Sequence, residues 1–278
     1  MIFPQAAKEK SVFKENRTEN GLVYLFSSVI PAFHAFSTRY GGVSKNGFET
    51  MNLGSNRGDD REDVRENYTR WCALFGAGRD DCCVTNQVHG KKIDIVTEKD
   101  RHVCLSPRTG EADGLVTGEK NLPIFCFTAD CVPVILCDRQ GRAAGAVHCG
   151  WKSSVQDILK EAVTAMETFG AAPEEICAAL GPAIGRCCFE TDKDVPDAIT
   201  AYLCGDTEGI WTIREDGKYL VDLRKANARR LMQLGLREEN IDISEECTFC
   251  SHEKFWSARY TGRHGQVRGN LAAGIVLR

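Results

Sequence analysis

Two imidazoles and one thiol stand out by type and setting. They are His89 in Asn86-Gln87-Val88-His89-Gly90, Cys131 in Thr128-Ala129-Asp130-Cys131-Val132-Pro133, and His148 in Ala146-Val147-His148-Cys149-Gly150-Trp151. Each lies at the end of an apolar, β-rich run, where a rigid scaffold holds reactive groups. Three nitrogen and sulfur donors, with a fourth tetrahedral position left to water or substrate, form the pattern of a catalytic zinc site. Zinc there would keep Cys131 as a thiolate and lower the pKa of bound water toward neutrality. Without metal, the same trio is a thiolate nucleophile with a histidine base. Spacing alone does not choose between these and plain packing, because separations of 42 and 17 residues are no metal signature.

Polar neighbours extend the set. Asp130 is the nearest candidate acid–base group, or a carboxylate that orients a ligand. Lys152, Ser153 and Ser154 open the helix expected after His148, whose free N–H groups and dipole would suit phosphate. Arg39 offers a guanidinium to phosphate or carboxylate. Against these stand an ordinary serine N-cap and an ordinary surface arginine.

The elements that must position these groups follow from hydrophobic period. Strands are expected over residues 22–30, 35–38, 113–117, 122–128, 132–137, 143–147, 176–180 and 271–277. Residues 82–88 and 92–96 read as a hairpin across His89-Gly90. Asp59 with Glu62 looks like a capping box for a helix carrying Val64, Tyr68, Trp71, Cys72 and Phe75 on one face. Further helices are expected over 155–169, 194–204 and 222–234. Helices separated by two or more strands favour mixed or stacked sheets with helices outside. No linker divides the 278 residues, so one domain is expected.

Composition narrows the class. Hydrophobic residues make up 42% and charged residues 27%, which supports a packed core. A net charge of −4 gives no footprint for nucleic acid or an anionic membrane. No signal-like segment and no run near roughly 18 apolar residues is present, so a cytoplasmic, membrane-free chain is expected. Fourteen cysteines in such a chain read as reduced thiols. Cys247-Thr-Phe-Cys250, a single C-x-x-C, and the pairs Cys82-Cys83 and Cys187-Cys188 read as core packing rather than metal or redox devices. The nucleophile elbow, the dinucleotide turn and the zinc-deaminase pattern are missing. Gly145 to Ser153 nearly matches a phosphate loop, but Trp151 interrupts the cradle.

Ordered motifs give the chain a family resemblance. These are Ser37-Thr38-Arg39-Tyr40-Gly41-Gly42-Val43-Ser44, Asn52-Leu53-Gly54, Gln87-Val88-His89-Gly90, Ala112-Asp113-Gly114, Thr128-Ala129-Asp130-Cys131, Val147-His148-Cys149-Gly150-Trp151 and Gly181-Pro182-Ala183-Ile184-Gly185. With Cys247-Thr-Phe and Phe255-Trp256-Ser257-Ala258-Arg259, they resemble the YfiH family from about residue 20 onward. That family is also described as laccase-domain or polyphenol oxidase proteins and as purine nucleoside phosphorylases. The resemblance implies a single domain, an α/β/β/α sandwich of stacked mixed sheets, with about residues 1–20 peripheral and a monomer expected. It implies zinc on His89, Cys131 and His148. Purine nucleoside and phosphate would be the substrates, with Arg39, Asn52, Gln87 and Lys152 as binding candidates. Adenosine, inosine, guanosine and methylthioadenosine fall in that class, and adenosine deamination is a further implied activity.

Three departures bear on the substrate contacts. Lys152 stands where the family has arginine, Arg259-Tyr260-Thr261 where it has Arg-Arg-Asp, and Gly269-Asn270 where it has Gly-Arg. A lysine keeps the charge without a bidentate grip. Other readings stay open: a zinc or cysteine hydrolase of a muramoyl-serine amide in peptidoglycan precursor editing, and a zinc-stabilised binding protein. Copper oxidation of phenols is disfavoured, since six scattered histidines fall short of a multicopper set.

Overall fold

Strand sequences alternate between two cores, and that alternation builds the layers. In the computed structural model, which describes residues 12–102 and 110–278, two large sheets stack face to face. The first holds β1 (Phe13–Arg17), β2 (Val23–Ser27), β3 (Phe33–Ser37), β6 (Ile124–Thr128) and β14 (Leu271–Val276), in the order β1-β2-β3-β14-β6. The second holds β4 (Ile93–Ile95), β5 (Gly114–Thr117), β7 (Val132–Asp138), β8 (Ala144–Cys149), β9 (Ile176–Leu180) and β13 (Ile241–Ile243), in the order β13-β9-β7-β8-β5-β4. The first sheet is antiparallel throughout; the second is parallel only at its two edge pairs, β4–β5 and β13–β9.

Period-two side-chain placement explains the stacking. On β7, Ile135 and Cys137 face the first sheet while Val134 and Leu136 face the outer helices. On β14, Ala273 and Ile275 face the second sheet while Ala272 and Val276 face α1 (Arg61–Leu74). Helix α1 covers the outside of the first sheet with Val64, Tyr68, Trp71 and Cys72. Helices α2 (Trp151–Val155), α3 (Ile158–Glu167), α4 (Asp194–Tyr202) and α5 (Leu223–Gln233) lie on the second-sheet side, several of their residues in its outer core. The result is an α/β/β/α sandwich. A small sheet of β10 (Glu190–Thr191), β11 (Trp211–Ile213) and β12 (Tyr219–Val221) and a short helix α6 (Ala258–His264) complete the elements.

Several local expectations are corrected. The N-cap of α1 is Asp60, which accepts from the N–H groups of Glu62 and Asp63; Asp59 instead accepts from Ser44 and Asn52. The helix expected over 155–169 is broken at Asp157, a left-handed residue at φ 70°. Its carboxylate takes both ends of the Arg230 guanidinium, at 2.9 and 2.6 Å. The hairpin across His89-Gly90 does not form: β4 pairs in parallel with β5, and residues 82–88 make only isolated bridges. Of the segment expected to be peripheral, Phe13–Arg17 is an edge strand; residues 1–11 lie outside the described residues. No helix among the described residues is long and apolar enough to cross a membrane.

Candidate active site

Cys131 ends the tight turn that joins β6 to β7. Asp130, just before it, adopts φ 89°, a left-handed conformation that side-chain-bearing residues rarely hold without support. Support comes from three directions. The Asp130 carbonyl accepts from Ile184 N at 2.9 Å, Oδ1 accepts from Thr248 Oγ1 at 2.6 Å, and Oδ2 accepts from Arg259 N at 2.6 Å. Both carboxylate oxygens of Asp130 are thus engaged by hydrogen bonds.

His148 lies near the end of β8, opposite Pro133, and is buried. Its Nδ1 meets Asp113 Oδ1 at 2.8 Å, which leaves Nε2 facing Cys131. The fully buried Asp113 also accepts from the peptide N–H groups of Val88 (3.1 Å), His89 (2.9 Å) and Gly90 (2.7 Å). One carboxylate therefore fixes the ring of His148 and folds the loop that presents His89. It is Asp113, not Asp130, that contacts an imidazole of the trio, a carboxylate–histidine arrangement familiar from metal sites. His89 is itself left-handed, at φ 62°.

The three donor atoms converge, all lying within 4.8 Å of one another. Cys131 Sγ is 3.9 Å from His89 Nε2, and the two imidazole rings meet edge to face at 4.8 Å. Gly150 makes the convergence feasible. A Cβ there would come within 2.9 Å of His89 Cδ2 and 3.2 Å of Cys131 Sγ. Burial opposes ionisation of the Cys131 thiol, but the His148 and His89 imidazoles outweigh it and draw its pKa below the ordinary thiol value. Burial likewise opposes charging of His148, and the Cys131 and Asp113 partners outweigh it, raising its pKa. Asp113 stays ionised despite its burial because His148, Gly90 and Val88 donate to it.

One recess opens onto all three donors and a second onto His89 and Cys131. The first, about 290 Å³, is lined by Asn56, Arg57, Gln87, Phe127, Arg268 and Asn270 beside the three donors. The second, about 450 Å³, adds Ile184, Phe189, Arg259 and Arg263. Arg57 and Arg268 have no carboxylate partner among the described residues. Burial and the like charge of Arg268 both lower the Arg57 pKa, the mark of unneutralised cations sharing a cleft. Sequence alone missed this pair, since nothing local separates them from surface arginines.

The expected binding residues are placed differently. Arg39 stacks on Trp256 at 3.8 Å, donates to the carbonyls of Glu49 and His252, and lines neither recess. Asn52 is buried; its amide donates to Asp59, and its carbonyl accepts from Gly54 N and Asn270 N, fixing the loop that carries Arg57. Gln87 lines the first recess, yet its amide is paired at both ends with the backbone of Phe127, at 2.7 Å each. Lys152 is exposed and lines neither recess, and Ser153 and Ser154 are buried on a five-residue helix.

The chain is similar to several known proteins. A purine nucleoside phosphorylase, YlmD of Geobacillus stearothermophilus, is 35% identical over 235 residues, covering 82% of this chain and 85% of its own. A phosphorylase of Deinococcus radiodurans is 35% identical over 254 residues, covering 91% and 94%. A protein named adenosine deaminase RL5, from an unknown prokaryotic organism, is 32% identical over 241 residues, covering 85% and 92%. Among solved structures, YlmD of Geobacillus stearothermophilus superposes with a TM-score of 0.87 at 30% identity, covering 97% of this chain and 100% of that one. The Bacillus licheniformis protein YfiH does so with a TM-score of 0.85 at 27% identity, covering 95% and 99%. The model of the family described as multi-copper polyphenol oxidoreductase laccase matches residues 33–278, and the chain belongs to that family.

Proposed function

We propose that this chain is a zinc-dependent purine nucleoside phosphorylase. The observation that carries the reading is the convergence of His89, Cys131 and His148 on a cleft that also holds two unneutralised arginines, Arg57 and Arg268. The names of relatives about 35% identical support the same class.

The donor set suits zinc. A thiol drawn toward its ionised form and two imidazoles, one oriented through Nδ1 by a buried carboxylate, match the three-ligand pattern with one position open. Copper fits less well, because no methionine lines either recess to serve as a weak axial ligand. His34 is held by Ser27 and Ala32, and His252 and His264 stack on Tyr260, so no histidine cluster for further coppers forms there. Bound zinc would supply Lewis-acid polarisation of an oxygen beside the substrate.

The chain's own residues supply the rest. Arg57 and Arg268 bind phosphate with charge-assisted hydrogen bonds and hold it at the mouth of the site. The half-buried ring of Phe127 gives the purine an apolar face, and Asn56 and Asn86 line the same wall for its polar edge. In phosphorolysis a phosphate oxygen bonds to the anomeric carbon as the C–N bond breaks, and the purine leaves with that electron pair and a proton. Holding phosphate and sugar together is itself a large part of such catalysis.

The test is turnover of inosine with and without phosphate. Ribose 1-phosphate should appear only with phosphate and be abolished in Cys131→Ala. Arg268→Ala should raise the phosphate KM roughly ten-fold or more, the size of a lost charge-assisted bond, with zinc content unchanged. Phosphate-independent cleavage of a muramoyl-serine amide, with inosine untouched, would sink the proposal. Adenosine deamination is a second reading, favoured by the deaminase-named relative; with adenosine supplied in place of inosine, it is read as inosine formed.

A further inference from the structure

Of the cysteines assigned to core packing, Cys82 and Cys83 are buried in the core, whereas Cys187, Cys188 and Cys250 gather around Cys247 at the surface. Cys187 and Cys188 lie in the turn after β9, and Cys247 and Cys250 in the turn after β13. Cys187 and Cys250 are exposed, Cys188 is half-buried and Cys247 is buried, and all four are free thiols. Their sulfur atoms lie within 4.8 Å of one another. Cys250 Sγ is 3.6 Å from Cys187 Sγ and 3.4 Å from Cys188 Sγ.

These distances discriminate between chemistries. Disulfide sulfurs stand at about 2.05 Å. Four thiolates around one zinc, each about 2.3 Å from it, stand about 3.8 Å apart at tetrahedral angles. We propose that Cys187, Cys188, Cys247 and Cys250 form a second, tetrathiolate zinc site that the catalytic reading does not use. The surroundings fit a thiolate-rich centre. The peptide N–H groups of Gly185, at 3.2 Å, and of Cys250 donate to Cys247 Sγ. Behind them the buried Arg224 guanidinium braces the Ser244 and Glu246 carbonyls. A Cβ on Gly185 would lie 3.2 Å from Cys187 Sγ and 3.3 Å from Arg224 Nη2, so a positive charge stands next to the cluster. Zinc with four thiolates carries a net double negative charge, half of which that cation offsets.

The site would be a clip. It fastens two turns far apart in sequence, and those turns brace the active site: Ile184 N and Thr248 Oγ1 both bond to Asp130, next to Cys131. Ala183 and Cys247 already form a bridge, and Thr248 N donates to Ala183 O. Metal binding would thereby become folding stability for this corner.

The experiment isolates the clip from the catalytic trio and needs no turnover. Full-length Cys131→Ala protein, purified under reducing conditions, is loaded with zinc, desalted and measured for metal per chain by elemental analysis and native mass spectrometry. One zinc per chain is expected, falling to none in Cys131→Ala/Cys250→Ser. Cys188→Ser in the same background repeats the test at a second ligand. Zinc should also protect the exposed thiols from a thiol-reactive reagent and raise the Tm in Cys131→Ala only. No metal in Cys131→Ala, equal metal with and without Cys250, iron in place of zinc, or cysteine pairs oxidised to disulfides would each overturn the proposal. Loss of phosphorylase activity in Cys131→Ala bears on the other site alone.

Discussion

At the scale of single residues, the site is organised by a carboxylate that never faces substrate. Asp113 accepts four hydrogen bonds, from three peptide N–H groups and one imidazole, with each oxygen taking two. Asp113→Asn places an NH₂ against donors whichever way the amide turns. Zinc affinity should fall by roughly 10–100-fold, the usual cost of losing a ligand's partner, and chelator-competition titration measures it. Unchanged affinity would show that the loop of His89 is held by something else. His89, Cys131 and His148 could be picked from the sequence because reactive side chains at the ends of apolar runs are conspicuous. Asp113 could not be given its role, because its partners come from separate segments and a buried aspartate looks like any other until they meet. Arg57 and Arg268 were hidden for the opposite reason: their meaning lies in the carboxylates they lack.

At the scale of elements, apolar runs predicted most strands to within a few residues, and Ile176–Leu180 was predicted with its observed bounds. The runs around His89 misled, since alternation on both sides of a His-Gly pair imitates a hairpin. The loop folds instead around Asp113, a contact that no local pattern encodes. Between β2 and β3 a similar local arrangement has a pH consequence. His34 accepts from Ser27 N at Nε2 and meets the Ala32 carbonyl at Nδ1, which fits only the neutral ring. Burial lowers its pKa from 6.5 to about 4, while Ala32 and Asp242 pull the other way. The unfolded chain therefore takes up this proton first. Stability from His34 is complete above pH 6.5 and is lost as pH falls toward 4, by about 3 kcal/mol at 1.36 kcal/mol per unit. Urea unfolding at neutral and mildly acid pH should show a steeper acid loss in the wild type than in His34→Gln. Equal slopes would move the acid sensitivity to other groups.

At the scale of the whole molecule, the sandwich depends on β14, which fills the gap between β3 and β6. It pairs Ala273 with Phe36 on one side and with Cys126 on the other. Proline at such a central position removes a ladder donor and cannot fit the strand. Ala273→Pro should give a chain without a cooperative thermal transition, and a native-like Tm would contradict this placement. The spacing of strands and helices left a mixed sheet or stacked sheets open, and the stacked layers were implied only by the family motifs; strand order was not legible, because pairing across more than 230 positions leaves no local trace.

That pairing also sets an order in time. While the chain is being made, β3 pairs with β2 on one side only, and its other edge, like the facing edge of β6, stays open until residues 271–276 are synthesised. A nascent chain of this protein therefore carries exposed sheet edges through most of translation, the condition in which chaperones are recruited and neighbouring chains aggregate.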